Sequence, residues 1–89
     1  MKIVFMGTGG FAVPSLEAVH VAGHEIALVV SQPDRPQGRG LTLTPPPIKL
    51  LAERLGLRMF QPEKLRHEPA PVLQERADIL VVVAYGQIL

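Results

Sequence analysis

Three short apolar runs, Lys2–Met6, Ile26–Val30 and Ile79–Ala84, constrain this chain more than any other feature. Each is rich in β-branched residues and too short for a helix of its own. Each is apolar at successive positions, the pattern of a strand covered on both faces. Such strands belong to parallel sheets, whose neighbours must be joined by crossovers.

The intervening sequence supplies those crossovers. Pro14 suits a first helical turn, Leu16, Val19 and Ala22 recur at helical spacing, and Gly23 provides a stop, predicting a helix over 14–22. Ile48, Leu50, Leu51, Ala52 and Leu55, interleaved with Lys49, Glu53 and Arg54 and closed by Gly56, predict a second, amphipathic helix. Leu57–Phe60 fits a short edge strand ended by Pro62, and Pro71–Arg76 a short helix. Glu63–Glu68 is mixed in charge and is expected to be a solvated connection.

The order β-α-β-loop-α-β-α-β predicts an α/β fold, the first half of a doubly wound, mainly parallel Rossmann-like sheet. The first strand should lie between the second and the 79–84 strand, which should be central. With 89 residues there is at most one domain, burying ~60–65% of its unfolded surface. Residues 1–89 therefore read as the amino-terminal part of a larger domain. An unpaired Val- and Leu-rich strand 79–84 would invite self-association.

Net charge of +1 gives no whole-chain attraction to nucleic acid, so any phosphate contact must be local. The absence of cysteine excludes disulfide and thiol chemistry and fits a reducing compartment. His20, His24 and His67 share no metal-binding spacing, and no metal is expected. The start is too short for a signal peptide and no run approaches ~18 apolar residues, so a cytoplasmic chain with no membrane contact is expected.

Chemistry could sit in three places. Gly7-Thr8-Gly9-Gly10-Phe11-Ala12 matches the dinucleotide fingerprint G-x-G-x-x-A between a strand and a helix. A nicotinamide site also expects an acidic residue at the end of the second strand, where Val30-Ser31-Gln32 stands with Asp34 beyond a proline. Ser31 with Arg35 would suit a 2′-phosphate instead; a turn that only joins strand to helix is the other reading.

The second place is the segment 32–47, far longer than the ~2–6 residues usual for such a connection. Pro33, Pro36 and Pro45–Pro47 stiffen it, and Gly38 and Gly40 flank Arg39, presenting that arginine on a hairpin-like tip with Arg35 nearby. Paired hydrogen bonds to a phosphate are one use of such a guanidinium; a solvated loop is the other reading. The third place is Tyr85–Leu89, just past the carboxyl end of an expected central strand. Gln87 offers an amide, and Ile88 and Leu89 apolar walls for a flat heterocycle, unless Tyr85 and Ile88 simply pack in the core.

The segments IVFMGT at 3–8, FAVPSLEA at 11–18, AGHE at 22–25, QPDRPQGRG at 32–40, FQPEKLR at 60–66 and VVVAYGQIL at 81–89 resemble the amino-terminal part of the methionyl-tRNA formyltransferase family. The resemblance implies a formyltransferase-type fold and a translation-initiation enzyme. Its family passes a formyl group from 10-formyltetrahydrofolate to the amine of methionyl initiator tRNA, through a tetrahedral intermediate needing oxyanion donors and an acid/base group. It also implies that the catalytic Asn, His and Asp, the Ser-Leu-Leu-Pro folate segment and a tRNA-binding domain lie beyond residue 89, so that the segment alone is inactive.

By the same resemblance Arg39, with Arg35, contacts the tRNA acceptor end, Gln87, Ile88 and Leu89 line the folate pocket, and Gly7, Thr8, Gly9, Gly10 and Phe11 form a substrate-binding turn. Two departures stand out. Leu41 and Thr42 replace two lysines common after the GRG motif, and Gly9-Gly10 replace a common Pro-Asp. A formyltransferase acting on a sugar-nucleotide amine and a non-catalytic dinucleotide-binding module are the alternatives.

Overall fold

A computed structural model describes residues 1–37 and 42–86. In chain order they form β1 (Lys2–Gly7), α1 (Val13–Val21), β2 (Glu25–Val30), β3 (Arg35–Gln37), β4 (Thr42–Thr44), α2 (Pro47–Arg54), β5 (Met59–Phe60), α3 (Ala70–Gln74) and β6 (Ile79–Val83). Short 3-10 turns occupy Gly10–Ala12 and Leu65–His67.

The apolar runs pair into one four-stranded parallel sheet in the order β5-β2-β1-β6. As the crossover rules require, β1 lies between β2 and β6. Among the described residues β6 is an edge with β1 as its sheet neighbour, and Ile79, Leu80 and Val82 stay exposed.

Both faces of β1 and β2 are covered. Phe5 and Val29 project to one side, where Leu16 of α1 and Ile48, Leu51 and Ala52 of α2 close over them. Val4, Met6, Leu28 and Val30 project to the other, against Leu65, Val72 and Tyr85. Fully burying a side chain such as Phe5 or Leu16 is worth roughly 1.5–3 kcal/mol, so these paired layers fix the register of β1 between its neighbours.

Two segments carry more structure than a plain connection. The connection 63–68 contains a 3-10 turn that drives Leu65 into the second core layer, leaving it 5% exposed. The long 32–47 segment is not a plain loop: β3 and β4 pair antiparallel, Arg35 opposite Thr44, Pro36 opposite Leu43 and Gln37 opposite Thr42. Pro36 is tolerated because each strand of a two-stranded ribbon has one side without a partner, where a missing N–H costs nothing.

Candidate functional site

β1, β2 and β6 end level with one another, Met6 standing opposite Val30 on one side and Val82 on the other. The segments leaving these strands therefore meet at one rim, the carboxyl side of a parallel sheet, where open α/β folds bind ligands. Thr8 fastens them. Its Oγ1 donates to the Tyr85 carbonyl at 2.7 Å and accepts from the Gln32 N–H at 3.2 Å. Its own carbonyl accepts from the Ile48 N–H at 3.3 Å, at the start of α2.

Gly7 is where the backbone demands glycine. An added Cβ would lie 2.7 Å from the Ala12 Cβ, 2.9 Å from the Phe5 ring and 3.0 Å from the Val83 carbonyl oxygen. Around Gly9 and Gly10 an added Cβ meets nothing within 4 Å, so a bulkier pair fits there without a clash. The fingerprint glycines are thus not equivalent, and a 3-10 turn separates them from α1. Phe11 is 90% exposed on this turn and presents a bare aromatic face at the rim.

The acidic residue that a nicotinamide site needs is already engaged. The Asp34 carboxylate accepts from Gln61 Nε2 at 2.8 Å and from Lys49 Nζ at 3.1 Å and 3.2 Å. The Gln61 amide and then the Lys49 ammonium hold its carboxyl below the usual carboxylate range. The dinucleotide reading loses its ribose partner.

Arg35 opens β3. Its Nη2 donates to Gln32 Oε1 at 3.4 Å, and its Nη1 stands 3.8 Å from the Glu63 carboxylate, with both side chains largely exposed. An exposed pair of this kind contributes ~0–1 kcal/mol, so the guanidinium can be exchanged onto an incoming phosphate at little cost. Arg35 and Thr44 of the ribbon share a cleft of about 440 Å³ with Thr8 and Gly9 of the turn, floored by Pro46 and Leu50. Two of the three places singled out in the sequence are therefore walls of one cleft.

The third place adjoins it through the Thr8–Tyr85 bond. Tyr85 packs in the core: the residue is 3% exposed, and its hydroxyl has no hydrogen-bond partner among the described residues. Burial pushes that phenol upward in pKa. Gly86 follows with φ +96°, its α-carbon turned toward the Gln32 side chain. Arg39, Gln87, Ile88 and Leu89 lie outside the described residues.

Sequence reading missed the Asp34–Lys49–Gln61 cluster, whose members come from three separate segments with no common motif. Among the described residues no three His, Cys, Asp or Glu side chains group to hold a metal ion, and no helix is long and apolar enough to cross a membrane.

Comparison with known families decides the lineage. The family model described as formyl transferase matches residues 1–89. The chain belongs to the formyl transferase family. It is 56% identical over 92 residues to a methionyl-tRNA formyltransferase of Neisseria meningitidis and 56% identical to one of Neisseria gonorrhoeae, in each case across 100% of this chain and 30% of the relative. A methionyl-tRNA formyltransferase of Herpetosiphon aurantiacus is 54% identical over the same span. The chain thus spans 30% of the length of these curated relatives.

Proposed function

We propose that this chain is the amino-terminal part of the catalytic domain of a methionyl-tRNA formyltransferase, the enzyme that moves the formyl group of 10-formyltetrahydrofolate onto the amine of methionyl initiator tRNA. The identity to proteins of that name across the whole chain supports the reading. The observation that carries it is the stiffened β3–β4 ribbon, inserted between β2 and α2 with Arg35 facing the strand-end cleft. A ribbon carrying Arg35 beside the cleft suits an enzyme that must hold an RNA end better than one acting on a small amine.

In this reading Arg35 and Arg39 neutralise phosphates of the acceptor end, and the Gly7–Phe11 turn holds the substrate at the cleft wall. Gln87, Ile88 and Leu89 line the folate pocket at the end of β6. The donor supplies the formyl carbon, and the groups that move protons lie in the part of the family sequence outside this chain. The setting is the cytoplasm, where initiator tRNA is charged.

The test is a chimera. Residues 1–89 replace the matching segment of the Neisseria meningitidis relative, and formylation of methionyl initiator tRNA is assayed beside the isolated chain. The chimera should turn over and the isolated chain should not. A folded chimera that ignores the tRNA and formylates a sugar-nucleotide amine would overturn the reading.

A further inference from the structure

We propose that Asp34, Lys49 and Gln61 form a clamp that sets the direction in which the β3–β4 ribbon leaves the sheet, making Asp34 a positioning residue for Arg35. The inference rests on the reading above, in which the ribbon grips RNA. Among the described residues β3 and β4 pair only with each other. An isolated two-stranded ribbon is marginal in water, so its orientation must come from its roots.

The two roots are joined by one ion pair. Asp34 stands immediately before β3, and Lys49 sits in the first turn of α2, just after the chain returns from β4. The contacts of Lys49 Nζ with both carboxylate oxygens, at 3.1 Å and 3.2 Å, therefore close the ribbon across its base. Gln61 then ties the closed base to the sheet. One amide nitrogen donates to the Gln32 carbonyl at 3.1 Å and to Asp34 Oδ1 at 2.8 Å, directly after β5.

Asp34 adjoins β3 directly on one root, and Pro45, Pro46 and Pro47 remove backbone freedom between β4 and Lys49 on the other, so fixing the base fixes what stands on it. The pair is better placed to do this than the other ion pair of the ribbon. Asp34 and Lys49 side chains are 27% and 25% exposed, against 53% and 76% for Arg35 and Glu63. Partial burial reduces screening by salt and fixes geometry that an exposed pair leaves loose.

The absence of native cysteine allows a direct test. Spin labels placed through Leu43→Cys on β4 and Val21→Cys on α1, both exposed positions, report the ribbon-to-body distance by pulsed electron resonance. The parent chain should give one narrow distribution, Asp34→Asn and Lys49→Met a broad one, and Lys49→Arg a narrow one again. Initiator tRNA affinity of the same variants in the chimera with the Neisseria meningitidis relative should follow the same order. If loss of the clamp leaves the ribbon in its binding orientation about one-fifth of the time, affinity falls about fivefold. An unchanged distribution in both Asp34→Asn and Lys49→Met overturns the clamp. A broadened distribution with unchanged tRNA affinity overturns its role in positioning Arg35. A folded chimera with the Neisseria meningitidis relative that binds no tRNA defeats the RNA reading and with it that role, while the distance widths still decide the clamp.

Discussion

The Thr8 hydroxyl donates to the Tyr85 carbonyl at 2.7 Å, across 77 positions of sequence. The same oxygen accepts the Gln32 N–H at 3.2 Å. One side chain on the segment after β1 thereby holds the exits of β2 and β6, and the cleft beside Arg35 exists because those exits stay together.

Replacing Thr8 by Val keeps its shape and removes the hydroxyl. A part-buried carbonyl at Tyr85 and N–H at Gln32 then lose their partner, at a cost of roughly 1–3 kcal/mol. Urea unfolding should show that loss for Thr8→Val and recovery of most of it for Thr8→Ser. Equal stability of the parent and Thr8→Val would mean that the rim is held elsewhere.

The glycines of the turn should behave oppositely. Gly7→Ala forces a Cβ against the Val83 backbone and the Ala12 side chain, neither of which is a flexible chain end, and overpacking of this kind costs ~1–3 kcal/mol. Gly10→Ala meets empty space at a position without a left-handed backbone, so it should stabilise by ~0.4–1 kcal/mol through the unfolded state. Thermal melts of the two variants side by side check both signs.

That contrast also marks how far the residues alone could lead. The β-branched runs announced β1, β2 and β6: burial on both faces explains the pattern of β1 and β2, while β6 keeps Ile79, Leu80 and Val82 exposed. The ribbon was harder to see: its strands are three residues each, and one of them contains Pro36. Leu65 was hidden for a related reason, being one apolar residue among charges, lifted into the core by a single 3-10 turn. The clamp was out of reach, since Lys49 and Gln61 stand 15 and 27 positions from Asp34 and converge only through packing. Family likeness pointed to Arg35 and to the turn, but not to their common cleft.

Asp34 makes stability depend on acid in a definite direction. Its folded pKa is depressed by Gln61 and Lys49, so its contribution is fully present above the unfolded carboxylate value of about 3.9 and is lost as pH falls through the folded value. Melting temperature followed from pH 6 downward should fall more steeply below about pH 4 in the parent than in Asp34→Asn, which has no proton to take up there. Parallel curves would show that the carboxylate is not held in the folded chain.

The most direct test of a tRNA-gripping ribbon is the salt dependence of initiator tRNA binding by the chimera carrying residues 1–89 and by its Arg35→Ala variant. A phosphate contact at Arg35 predicts weaker binding in the variant and a plot of log K against log salt that is shallower by about one unit, with the melting temperature unmoved. Superimposable plots for the two proteins would contradict it and leave the ribbon without its RNA.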